Sequence, residues 1–96
     1  MTLYLNDIVN ETYTNAEGEK LYAVLKDAFS SNEKVVLSFK DSSITSSSFL
    51  NSSFGRLIES YGLDRFMQSV TPKELTVTQA EVLKKYVSSF SKKDAA

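Results

Sequence analysis

The run Val35-Val36-Leu37-Ser38-Phe39 constrains the fold more than any other stretch of the chain. It is short, apolar and β-branched, with Lys34 before it and the polar segment Lys40-Asp41-Ser42-Ser43 after it. A strand of that composition suits a sheet covered on both faces, so Lys34 to Phe39 is expected to lie centrally. The chain then passes through a polar turn into a helix that opens on consecutive hydroxyls, Ser46-Ser47-Ser48. A hydroxyl oxygen at that junction can accept the free backbone N–H two or three residues on.

The remaining segments alternate between the strand and helix periods. Thr2 to Val9 alternates loosely, with Leu3, Leu5 and Ile8 on an apolar side, and reads as an opening strand that is continuous, short or bent at Asn6-Asp7. Asn10 to Tyr13 fits a continuation or a turn equally well. From Asn15, the residues Leu21, Leu25, Ala28 and Phe29 recur at helical intervals, while Glu17, Glu19, Lys20 and Lys26 are expected to face away. Thr14 or Asn15 is the expected cap, and Gly18 fits a close approach of backbone or a tolerated glycine.

The second helix should run from Ser47 to about Tyr61, burying Phe49 or Leu50, Phe54, Leu57, Ile58 and Tyr61 and ending at Gly62. Phe66 to Val70 reads as a third strand that Pro72 helps to end. Thr76 or Thr78 then caps a last helix with Ala80, Leu83, Val87 and Phe90 on one face, and the tail from about residue 92 is expected to fray. Strands alternating with helices predict one α/β domain over residues 1–96, with a mostly parallel sheet of three to four strands and about three helices. Binding sites in such sheets collect at the carboxyl ends of the strands, which is where the serine-rich turn falls.

Composition removes several kinds of chemistry. The chain has 96 residues, no histidine and no cysteine. Thiol nucleophiles, disulfides, imidazole bases and the usual zinc ligands are therefore absent, and no cofactor is expected. A formal net charge of -1 provides no field to draw nucleic acid or an anionic membrane, and no apolar segment is long enough to span a bilayer. These features predict a cytoplasmic protein, monomeric or homodimeric, that is not an enzyme.

The turn and the helix behind it resemble the STAS domain (sulfate transporter and anti-sigma factor antagonist). There, a strand leads through an acidic loop to a helix opening on Asp-Ser-Ser/Thr-Gly-Leu-Gly. Aligned without gaps, Asp41 takes the place of the loop acid and Ser47 that of the phosphorylatable serine, while Leu50 and Gly55-Arg56 also match. Ser46 stands where that pattern has Asp, Phe49 where it has its first Gly, and Asn51 where it has its second. Those differences are similar to the short bacterial STAS-like family of unknown function, whose helix opens with Ser-Phe and then Asp or Asn. Ser48-Phe49-Leu50-Asn51 fits that pattern.

The resemblance implies a small STAS-like fold and a regulatory protein-binding module related to anti-sigma factor antagonists. Asp41, Ser46, Ser47, Ser48, Asn51, Ser52 and Arg56 are the candidate contact or phosphorylation residues. It also implies a protein partner of the histidine-kinase-like ATPase type. A second reading is a small inhibitor or antitoxin-like protein, in a phage or defence setting, that covers a partner's surface without phosphorylation. A third is binding of a nucleotide or phosphate at the helix start, which the absence of glycine from the turn argues against.

Overall fold

The computed structural model describes residues 1–95, with side chains described through residue 90. Three parallel strands form one sheet in the order β1-β2-β3, built from Thr2–Tyr4, Val35–Ser38 and Val70–Lys73. Thr2 pairs with Val36 and Tyr4 with Ser38 on one side, and Val35 pairs with Val70 and Ser38 with Lys73 on the other. The β-branched run is thus the middle strand, with Val35 and Leu37 fully enclosed.

Helical segments fill the intervals. α1 (Leu5–Ile8) and α2 (Asn15–Ser30) join β1 to β2, and α3 (Ser47–Leu50), α4 (Arg56–Tyr61) and α5 (Leu63–Ser69) join β2 to β3. A π-helical turn, Asn51–Gly55, connects α3 to α4, so the chain is helical without a break from Ser47 to Tyr61. α6 (Val77–Ala95) closes the described chain. The tail expected to fray from about residue 92 lies outside the described side chains.

With strands of three or four residues, the sheet cannot supply the whole core. Helices complete it: Leu21, Leu25 and Phe29 of α2 meet Phe49, Leu50, Phe54 and Leu57 around Leu37 and Phe39. Phe54 and Phe66 rings are tilted at 5.0 Å, as are Phe29 and Tyr61, an arrangement suited to the ring quadrupoles. The Arg65 guanidinium donates to the Phe29 carbonyl at 2.6 Å, adding a second donor to a carbonyl at the end of α2 that already accepts the Asn32 N–H.

Several expectations are corrected. β1 stops at Tyr4 because Leu5, Ile8 and Val9 fall at i, i+3 and i+4, and a helical turn buries Leu5 and Val9 more completely than continued strand would. Residues 66–69 are helical for the same reason: Leu63, Phe66 and Val70 share one side, and Phe66 is buried. The third strand accordingly begins at Val70, and Pro72 lies inside it, paired with Leu37 on an edge strand that tolerates a missing N–H. Gly62, with φ 92° and ψ 153°, is in a region open essentially to glycine, and it both ends α4 and starts α5.

Glu17 does not face away. It is buried, and its carboxylate accepts the Asn10 N–H at 2.6 Å and pairs with Lys20. On α6, Leu83 is buried and Val87 and Phe90 pack against the core as expected, but at the start of the helix Gln79 is buried in place of the expected Ala80, which is exposed.

Candidate functional site

The segment after β2 leaves the carboxyl end of the central strand as a loop and re-enters helix at Ser47. Side chains from three other parts of the chain take up its carbonyls. Asn6 of α1 donates to the carbonyls of Lys40 at 3.3 Å and Asp41 at 2.9 Å. Gln79 of α6 donates to those of Ser42 at 2.8 Å and Ser43 at 3.3 Å. Buried Thr12 donates to Ile44 at 3.0 Å and accepts the Ser46 N–H on its own carbonyl. Ser42 folds back so that its N–H and hydroxyl both reach the Phe39 carbonyl.

Every carbonyl from Phe39 to Ile44 therefore has a partner, and the loop is fixed by hydrogen bonds in place of regular structure. Asp41 adopts φ 60°, a conformation that Asp tolerates better than most residues. At the base of the loop, Ser38 donates to the Glu74 carboxylate at 2.7 Å and accepts the Lys40 N–H, linking the ends of β2 and β3.

The three serines have different surroundings. Ser46 is the N-cap, its hydroxyl accepting the Phe49 N–H at 3.1 Å. Ser47 and Ser48 are exposed, and neither hydroxyl is hydrogen-bonded among the described residues.

The remaining candidates lie further along this helix and are engaged elsewhere. Ser52 donates at 2.8 Å to Asn15 and at 2.9 Å to the Ser48 carbonyl, and buried Ser53 donates to the Phe49 carbonyl at 2.8 Å. These hydroxyls serve carbonyls at the wide π turn. Asn51 accepts the Tyr86 hydroxyl at 2.7 Å, and the Arg56 guanidinium stacks 4.0 Å over the Tyr22 ring. The structure thus places Asp41 in the loop beside Asn6 and Ser46, Ser47 and Ser48 at the helix start, and sets Asn51, Ser52 and Arg56 further along, against α2 and α6.

An open cleft of about 490 Å³ adjoins the turn, lined by Asn6, Asn10, Glu11, Tyr13, Asp41 and Ser43 among others. Its walls are polar, and Glu11 Oε1 accepts the N–H groups of both Tyr13 and Thr14. Tyr13 is 63% exposed and Ile44 50%, so two large side chains with apolar surface stand beside this polar hollow. Among the described residues no three of His, Cys, Asp and Glu come together as a metal site.

Sequence reasoning missed Asn6, Thr12 and Gln79. Thr76 and Gln79 form a reciprocal cap at the start of α6, each side chain taking the other's N–H, and the Thr-x-x-Gln spacing is the readable sign of it. Nothing local marks the amide's reach to residues 42 and 43.

A parallel sheet with a capped helix leaving the end of its middle strand defines a class, the small STAS-like α/β domain. Residues 17–80 match the family described as STAS-like domain of unknown function (DUF4325), and the chain belongs to that family. No curated protein and no solved structure gives a match. No helix among the described residues is long and apolar enough to cross a membrane.

Proposed function

We propose that this chain is a non-enzymatic regulatory module that docks on a protein partner through the serine-rich turn and the helix behind it, with Ser47 as a phosphorylation switch. The observation that carries this reading is the loop from Phe39 to Ile44: its carbonyls are satisfied from within, so Asp41 and Ile44 are presented on a fixed frame, next to exposed Ser47 and Ser48 at the helix start. A preordered surface loses little conformational entropy on association, and exposed tyrosine suits an interface. A phosphate at Ser47 adds nearly two negative charges that would have to be desolvated in a packed contact, so modification would release the partner.

The resemblance to anti-sigma factor antagonists favours an ATPase of the histidine-kinase-like type as partner, met in the cytoplasm. The lack of histidine and cysteine, together with the capping role of Ser46, supports a binding function over catalysis.

Affinity purification from the source organism with intact-mass measurement tests this reading. The expected result is a defined protein retained by wild type, lost with Ser47→Glu and weakened by Asp41→Gly, which suits the local φ but removes the carboxylate. Retention of one partner by wild type and Ser47→Glu alike would leave the docking role and remove the switch, the behaviour of the inhibitor or antitoxin-like alternative. Absence of any partner would remove the docking role.

A further inference from the structure

On another face, α5, β3 and α6 enclose an open groove of about 520 Å³ that shares no lining residue with the polar cleft beside the serine turn. Phe66, Val70 and Leu83 form its buried floor, and Met67, 59% exposed, stands on its α5 wall. Apolar surface left open in a hollow of this kind calls for a cover. We propose that the cover is a second copy of this chain, the two packing about a two-fold axis with the Met67 ridge of each α5 seated in the groove of the other.

Two observations select that occupant. The first excludes an added β-strand. The Lys73 carbonyl accepts from Phe39 and so faces β2; alternation then turns Pro72 to the free edge, where it offers no N–H. The cover must bind through side chains, as a helix ridge does.

The second observation is charge. Lys84, on the α6 wall, is the charged residue lining the groove, and exposed Asp64 lies one turn before Met67 on α5, just outside the groove's lining. Neither forms an ion pair among the described residues. An apolar knob beside a negative charge is what a groove with a positive rim accepts, and this chain carries both halves. A two-fold axis brings Asp64 of one copy to Lys84 of the other, twice per dimer. A net charge of -1 adds little repulsion between copies.

Analytical ultracentrifugation of the full chain, from about 1 μM to about 1 mM, tests the proposal. Wild type is expected to show a reversible monomer–dimer equilibrium. Met67→Glu should weaken it about a hundredfold, since the change acts twice per dimer, while leaving circular dichroism and melting intact. Asp64→Lys and Lys84→Asp should each weaken it several-fold, and the double swap should restore it. A wild type that stays monomeric over the whole range overturns the proposal, as does a dimer that ignores all three single changes. Failure here leaves the docking role of the serine turn untouched, because none of these residues belongs to that surface.

Discussion

Gly18 lies against the carbonyl of Phe49: a Cβ at Gly18 would stand 2.6 Å from that oxygen and 2.8 Å from Ser52 Cβ. This is where α2 meets the start of the π turn, and the approach needs a residue without a side chain. Gly18→Ala therefore sets two effects against each other. Better helix propensity favours alanine by about 1 kcal/mol, whereas overpacking against backbone costs about 1–3 kcal/mol. We expect net destabilisation of about 1 kcal/mol, read from the urea midpoint. A more stable Gly18→Ala protein would show that α2 and the π turn can separate freely.

Gln79 both caps α6 and holds the carbonyls of Ser42 and Ser43. Gln79→Ala should cost about 1–3 kcal/mol, because buried polar groups lose partners. It should also speed amide exchange at Ser42 more than at Leu25 in the core of α2. Equal acceleration at both would mean that the amide contributes only global stability.

The hydrogen bond from Lys20, then that from the Asn10 N–H, and to a lesser extent the Lys20 charge, hold the Glu17 carboxyl below its ordinary range. A lowered folded value contributes stability that is present above the unfolded value, near ~4.3, and is lost as pH falls towards the folded one. Wild type should therefore lose more stability than Glu17→Gln between about pH 5 and pH 3 in urea titrations. Parallel curves would show that the carboxylate contributes nothing beyond its neutral replacement.

Burial, and then the charge of Glu59, push the Tyr86 phenol up to about 12. Here the sign is reversed. The folded form favours the neutral phenol, so its contribution is present below the unfolded value of about 10 and fades as pH rises towards about 12. In an ultraviolet titration a phenol step near pH 12 is expected, and it should vanish in Tyr86→Phe. That variant should also lose about 1 kcal/mol with its bond to Asn51.

How much of this was readable without coordinates depended on whether one period prevailed locally. Val35 to Ser38 has no competing helical spacing, and the helix of Leu21, Leu25, Ala28 and Phe29 has no competing alternation, so both could be read. Leu3, Leu5, Ile8 and Val9 satisfy both periods in part, as do Phe66 to Val70, and tertiary burial decided for helix in each case. The capping role of Ser46 and the position of the turn were legible because strand, turn and hydroxyls are contiguous. The frame of that turn was not, because Asn6, Thr12 and Gln79 reach it from distant parts of the chain. The spacing of Gly55-Arg56 within the helix could not reveal the π turn that redirects Arg56 towards Tyr22.

The wide turn at Asn51–Gly55 makes the bearing of the serines depend on residue count as well as residue type. Removing one amino acid there would return the helix to its ordinary winding and swing everything upstream by roughly 100° about the axis relative to Arg56–Tyr61. Ser47 and Ser48 would then point in a new direction while their chemistry stayed the same. Related chains that differ in length at this point are therefore expected to offer their hydroxyls to differently placed partners.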